Sequence, residues 1–94
     1  METSQALGAL ALLEPLYKVD RRNLGTLNLL AQAYELLGRT TEAATFKAEE
    51  AEVRAADGFV LQAVACYERA AVLNPERRCA IEQRIAELRS RIGL

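Results

Sequence analysis

The sequence contains no histidine and only two cysteines. Without histidine, imidazole is excluded both as a metal ligand and as a group that transfers protons near neutral pH. Cys66 and Cys79 each lie in an apolar helical context, where a free cysteine behaves as a small buried hydrophobe. Glycine-rich phosphate loops and nucleophile–base pairs are also missing. We therefore expect no catalytic residue, no metal site and no cofactor.

Long hydrophobic runs are missing as well. The longest near-continuous apolar stretch covers residues 6–13, well short of the ~18 residues that span a bilayer. Glu2 stands where a signal peptide would carry a basic residue, and Glu14-Pro15 does not resemble a cleavage site. The sequence predicts no membrane segment and a cytoplasmic location, unless the chain is a fragment of an exported protein. A formal net charge of -1 gives no general attraction for nucleic acid.

The residues that are abundant favour helices. Of the 94 residues, 51% are hydrophobic and 27% are charged, a composition typical of one soluble domain, which we expect to cover residues 1–94. Alanine, leucine, glutamate and arginine, all good helix formers, dominate over β-branched residues. The fold class predicted from this composition is all-α.

Four breaks divide the chain, at residues 19–23, 38–40, 57–58 and 74–75. Each combines a helix stop with a residue whose side chain can cap the next helix: Asn23, Thr40, Asp57 and Asn74. The breaks predict about five helices, over residues 4–18, 24–37, 41–56, 59–73 and 76–91. Because the connections are short, neighbouring helices must run antiparallel. The residues expected on their inward faces are Leu27, Leu30, Tyr34, Ala43, Phe46, Ala63, Tyr67, Ala70 and Ile85.

The segment LNLLAQAYELLGRTTEAATFKA resembles a tetratricopeptide repeat, a pair of antiparallel helices with the pattern W-x2-L-G-x2-Y. Leu27, Leu30, Ala31 and Tyr34 stand at those four positions, and Gly38 stands in the turn between the helices. The second half of the pattern, A-x3-F followed by proline, is matched by residues 63–75, and a fainter copy begins at residue 9. The resemblance implies a short right-handed α-solenoid of helical hairpins that binds protein or peptide partners.

The irregular ending has a more particular likeness. It is similar to the tetratricopeptide tail of HExxH zinc metallopeptidases of outer-membrane protein assembly, which ends in an Arg/Glu-rich helix such as RRCAIEQRIAELRSRIGL. The HExxH motif is absent from this chain, so the likeness implies no protease activity.

Two groups of charged residues have a structural interpretation. Glu49, Glu50 and Glu52 do not converge as an acid–base pair would, and with Lys47 and Arg54 among them they predict a solvated face. The arginines of residues 76–91 alternate with glutamates at spacings of paired side chains, which favours a charged outer face over a nucleic-acid site. The same helix carries an apolar stripe, Ile81, Ile85, Leu88 and Ile92. The stripe either caps the helical stack or forms a seam with a second copy.

Two surfaces are candidates for binding a partner. The first is a polar stripe on the helix 24–37, made of Asn28, Gln32 and Glu35, which would face the groove of a tetratricopeptide hairpin. Glu35 would favour a basic or amine-bearing ligand segment. The second is the helix 59–73, which is apolar around most of its circumference. One face of it, made of Val60, Leu61, Val64 and Val72, exceeds what one neighbour can cover. We therefore expect part of this face to be exposed as a contact surface, with Leu61 and Val64 as partner-binding residues.

These features predict a non-enzymatic protein–protein interaction module, a scaffold or adaptor that binds a peptide or helix in a concave groove. The alternative is a self-association element, buried in a homodimer, or a tetratricopeptide fragment of a larger protein.

Overall fold

The computed structural model describes residues 3–93, and this range is all-α, as predicted, with 86% helix and no strand. The five α-helices are α1 (Thr3–Val19), α2 (Leu24–Leu36), α3 (Thr40–Ala56), α4 (Val60–Leu73) and α5 (Arg78–Arg91). A single 3₁₀ turn, Pro75–Arg77, precedes α5. The sequence predicts that the last helix begins at residue 76, directly after Pro75. The α-helix begins two residues later, because the chain first forms this tighter turn.

Glycines in the left-handed region determine where α2 and α3 end. Gly38 has φ +76° and Gly58 has φ +90°. After Gly38 the N–H of Arg39 donates to the carbonyl oxygen of Tyr34 over 2.9 Å, a 6→1 bond that closes the helix end. The corresponding bond after Gly58 joins Phe59 N–H to the carbonyl oxygen of residue 54 over 2.8 Å.

Of the four predicted side-chain caps, only Asn23 forms one: its Oδ1 accepts from the N–H of Thr26 over 2.9 Å. The predictions for Thr40, Asp57 and Asn74 are wrong. Thr40 is already the first residue of α3, and Asp57 still lies at its C-terminal end. In these two cases the glycine turns have displaced the capping positions onto Arg39 and Phe59, whose side chains make no capping bond. Asn74 does lie at the N-cap of the 3₁₀ turn, but its side chain makes no capping bond.

The helices pack in chain order, each against the next, in a molecule of 44 × 27 × 18 Å. Side-chain bonds also join alternate helices. Tyr17 of α1 bonds Glu49 of α3, and Glu52 of α3 bonds Arg84 of α5. On the other side, Glu35 of α2 bonds Arg69 of α4. The helices α1, α3 and α5 therefore form one row and α2 and α4 a second. The right-handed solenoid stays a prediction.

The core consists of two clusters, one between α1 and α2 and one among α3, α4 and α5. Seven of the nine predicted core residues are buried: Leu27, Leu30, Ala43, Ala63, Tyr67, Ala70 and Ile85. The other two, Tyr34 and Phe46, are only partly buried because they belong to an aromatic group at the edge. Their rings stack with centroids 5.6 Å apart, and the Tyr17 ring meets Phe46 edge-on at 5.3 Å.

The helix α4 is covered on one side by α3 and on the other by α5. Leu61 and Val72 are exposed, as predicted, with Leu61 66% exposed. The prediction for Val64 is wrong: this side chain is 5% exposed and lies in the cluster shared with α3 and α5. Three residues of the α5 stripe, Ile81, Ile85 and Leu88, are likewise buried within the single chain, which agrees with the capping interpretation, whereas the fourth, Ile92, is exposed.

A candidate protein-interaction groove

The predicted acidic cluster is not a uniformly solvated face. Glu50 is only 3% exposed, and it contacts Cys66 of α4 and Lys47, which also bonds Asn28 of α2. One of its oxygens accepts from Lys47 Nζ and the other from Arg54 Nε, each over 3.0 Å. The thiol of Cys66 lies 3.4 Å from the second oxygen. Glu50 is thus a buried carboxylate with two cations, which corrects the prediction made from its position in a charged run.

This network also determines the protonation of its members. Burial disfavours the ionised form of Glu50, but the hydrogen bonds from Lys47 and Arg54 outweigh burial and hold the pKa of this carboxyl below its ordinary value. Burial and the neighbouring Glu50 carboxylate raise the pKa of the Cys66 thiol. Cys66 is therefore a protonated, unreactive thiol at neutral pH and is half-buried, in agreement with the structural role expected for it. The same expectation is wrong for Cys79, which is exposed.

The polar stripe on α2 is largely engaged within the chain. Asn28 Oδ1 accepts from Lys47 Nζ over 3.0 Å, and Glu35 forms an ion pair with Arg69. Gln32 is exposed. The structure thus places the three predicted contact residues on one face of α2 but commits two of them to bonds with α3 and α4.

A recess lies on the side of α3 where the row of α1, α3 and α5 faces solvent. We call it the α3 groove. It has a volume of about 420 Å³ and continues into a crevice of about 210 Å³ between α3 and α5. The two cavities share Thr45, Ala48, Tyr67 and Arg77. The other groove residues are Arg21, Arg22, Glu49, Glu52 and Val53, and the crevice adds Ala44, Asn74, Ala80, Ile81 and Arg84.

The wall of the groove nearest α5 is held by hydrogen bonds. Arg84 donates from two nitrogens to the two carboxylate oxygens of Glu52, each over 2.9 Å, and the hydroxyl of Tyr67 also donates to Glu52. Arg84 donates in addition to Glu87 over 3.0 Å. These bonds raise the pKa of the Arg84 guanidinium above its ordinary value, so it is permanently charged. The bidentate geometry fixes the orientation of this wall.

On the α1 side, Glu49 lies at the floor. Its Oε1 accepts from the Tyr17 hydroxyl over 2.7 Å, and its buried Oε2 has no hydrogen-bond partner in residues 3–93. The hydrogen bond to Glu49, together with burial, raises the pKa of Tyr17. The Arg21 guanidinium lies over the Tyr17 ring, 5.5 Å from its centroid. The neighbouring Arg22 takes part in no ion pair recorded for the described range.

Among the apolar side chains exposed outside the groove, two groups stand out. Phe59, Leu61 and Ile92 line a shallow pocket beside the start of α4, which contains Leu61 of the predicted α4 surface but not the exposed Val72. The outer face of α1 carries Leu12 and Val19, which are 74% and 87% exposed. Sequence reasoning missed this second surface, although residues 12, 16 and 19 recur at helical spacing.

Within residues 3–93, no three His, Cys, Asp or Glu side chains are placed to hold a metal ion, and no helix is long and apolar enough to cross a membrane. Comparison with family models, curated proteins and solved structures finds no match. The tetratricopeptide likeness therefore rests on the sequence pattern alone.

Proposed function

We propose that the protein is a non-enzymatic interaction module that binds a segment of a partner protein in the α3 groove. The observation that supports this function is the groove itself, a recess of about 420 Å³ with a neighbouring crevice. Thr45 and Ala48 are short, so the backbone of a ligand can approach α3 closely between the two higher walls.

The walls are arranged before any ligand binds. The bonds of Glu52 with Tyr67 and Arg84 order three side chains of the groove, and the Tyr17–Glu49 bond orders the other side. A surface that is ordered in advance loses less side-chain entropy on association, which favours binding. The α2 stripe is a weaker site, because a partner there would have to compete with the bonds of Asn28 and Glu35.

The test compares two tryptophan substitutions at exposed helix positions. Peptides are selected from a random displayed library on the immobilised chain, and their affinities are measured by fluorescence anisotropy. Thr45→Trp fills the groove and should weaken binding at least about tenfold, which corresponds to ~1.4 kcal/mol. Gln32→Trp on α2 should change affinity less than twofold. The opposite pattern would place the site on the α2 stripe, and a selection without binders would contradict the function.

Self-association is the second candidate, and the outer face of α1 favours it. Leu12, Leu16 and Val19 form an exposed apolar stripe, the kind of surface that usually marks a contact with another helix. A second copy would cover it in a homodimer, and a neighbouring helix would cover it in a longer protein. Light scattering coupled to size-exclusion chromatography separates the two. A dimer that Leu12→Lys converts to a monomer supports self-association, and a parent chain that is monomeric contradicts it.

A further inference from the structure

We infer that the α3 groove selects an acidic partner segment that carries one hydrophobic anchor residue. This inference rests on the proposed function and specifies the chemistry of its ligand. An acidic ligand has the opposite charge to the basic ligand predicted from Glu35. That prediction does not apply to the α3 groove, because Glu35 is paired with Arg69 on the other side of the molecule.

The charge of the groove favours an acidic ligand. Four guanidinium groups line the groove and its crevice, from Arg21, Arg22, Arg77 and Arg84, against two carboxylates, from Glu49 and Glu52. Arg84 is neutralised by Glu52. Neither Arg22 nor Arg77 takes part in an ion pair recorded within residues 3–93, and both are exposed. Two available guanidinium groups therefore line the groove, one from the α1–α2 connection and one from the 3₁₀ turn before α5, and a carboxylate can accept two parallel hydrogen bonds from each.

The floor of the groove restricts where the carboxylates of the ligand can lie. Glu49 is at the floor and has no cation partner among the described residues, so an acidic ligand side chain placed there would be repelled. The acidic residues of the ligand must therefore lie at the two ends of the contacting stretch, near Arg22 and near Arg77. The central part of the ligand must be neutral.

The crevice between α3 and α5 can hold the hydrophobic anchor residue of the ligand. Ala44, Ala80 and Ile81 form the apolar part of its lining, beside polar side chains that include Asn74 and Arg84, and its volume is about 210 Å³. A dry apolar cavity of about 150 Å³ accepts a benzene ring, so this crevice has room for one aliphatic or aromatic side chain. Burial of such an anchor would supply most of the affinity, while the arginines would supply selectivity and a faster association rate.

Three fluorescein-labelled probe peptides of equal length test the inference. Each has one central leucine and is flanked on both sides by glutamates, by glutamines or by lysines. In anisotropy titrations of the full chain, we expect the glutamate peptide to bind at least about fivefold more tightly than the glutamine peptide. The lysine peptide should bind most weakly, and added salt should reduce the difference. Replacement of the leucine by alanine in the glutamate peptide should weaken binding.

A pair of double variants locates the charge effect. Arg22→Gln with Arg77→Gln should remove the preference for glutamate over glutamine. Arg78→Gln with Arg91→Gln removes the same charge from α5, outside the groove, and should keep the preference within twofold. Circular dichroism checks that both variants are folded.

Each result has one meaning. Equal binding of the glutamate and glutamine peptides, blocked by Thr45→Trp, would overturn the acidic preference and leave the interaction function intact. Equal loss of preference in both double variants would show a general charge effect and would also overturn the inference. Failure of all three peptides to bind would count against the inference, while the proposed function would still be judged by its own library selection.

Discussion

Replacement of Glu50 by glutamine tests whether the buried network stabilises the fold. Glu50→Gln keeps the length and shape of the side chain but removes the negative charge between Lys47 and Arg54, both of which bond it over 3.0 Å. The two cations would then face a neutral amide, which can also orient its NH₂ group toward them. The substitution therefore isolates the charge from the packing.

The expected magnitude follows from the burial of the three side chains. Removal of one partner from a buried ion pair costs about 3–5 kcal/mol. Here the Lys47 and Arg54 side chains are 16% and 26% exposed, so part of each cation can be rehydrated, whereas Glu50 is 3% exposed. We expect a loss of about 2–3 kcal/mol in the free energy of unfolding, or about 10–20 °C in Tm for a domain of this size.

The assay is urea denaturation followed by circular dichroism at neutral pH, with Glu82→Gln on α5 as the matched control. Glu82 is exposed and takes part in no ion pair recorded in the described range, so its substitution should change stability by less than about 0.5 kcal/mol. A Glu50→Gln variant as stable as this control would refute the reasoning, because it would show that the cost of burying the carboxylate cancels its attraction to the two cations.

The remaining predictions concern pH, the core and the glycine turns. The folded-state pKa of Glu50 is lowered, so its contribution to the free energy of unfolding is complete above the unfolded-state pKa of about 4.3 and is lost as pH falls through the folded-state value. Urea titrations at decreasing pH should therefore show the stabilities of the parent and of Glu50→Gln converging in acid. Leu30→Ala should lower the free energy of unfolding by about 2–5 kcal/mol, whereas Leu12→Ala at an exposed position should change it little; equal effects would contradict the hairpin assignment. Gly38→Ala should lower the Tm, at a cost of about 1–2 kcal/mol, because φ at this residue is +76°. Gly8→Ala within α1 should raise the Tm slightly, and thermal melts in which both variants have a raised Tm would exclude strain at Gly38.

Local signals were sufficient to predict the helices. Gly38 and Gly58 end α2 and α3 because a left-handed residue closes a helix whatever the tertiary context. The core positions of α2 and α4 followed from helical spacing, since Leu27, Leu30 and Tyr67 must share faces with other apolar residues. The capping residues were less predictable, because a shift of one residue at a glycine turn moves the side chain away from the capping position.

The burial of Glu50 could not be predicted from its neighbourhood in the sequence. Successive residues on a helix point about 100° apart, so Glu49, Glu50 and Glu52 face three different parts of the molecule. The spacing of Glu50 from Lys47 (i, i+3) and from Arg54 (i, i+4) predicts these ion pairs within α3, but only the positions of α2 and α4 determine that they lie in the interior. Val64 was misassigned for the same reason: an apolar helix surface does not indicate how much of it two neighbours will cover.

The three glutamates of α3 connect the stability of the fold to the proposed site. Glu50 contacts the thiol of Cys66 and so joins α3 to α4. Glu49 accepts a hydrogen bond from Tyr17 of α1, and Glu52 accepts one from Arg84 of α5. In an elongated molecule whose backbone contacts join mainly successive helices, the bonds of Glu49 and Glu52 help to fix α3 relative to α1 and α5, together with the Tyr17–Phe46 ring contact and the core cluster that α3 shares with α5. The distance between the two walls of the groove, which carry Arg22 and Arg77, depends on that arrangement. A loss of the Glu50 network should therefore affect ligand affinity only through the position of α3, and at temperatures well below the Tm the preference for acidic peptides should persist.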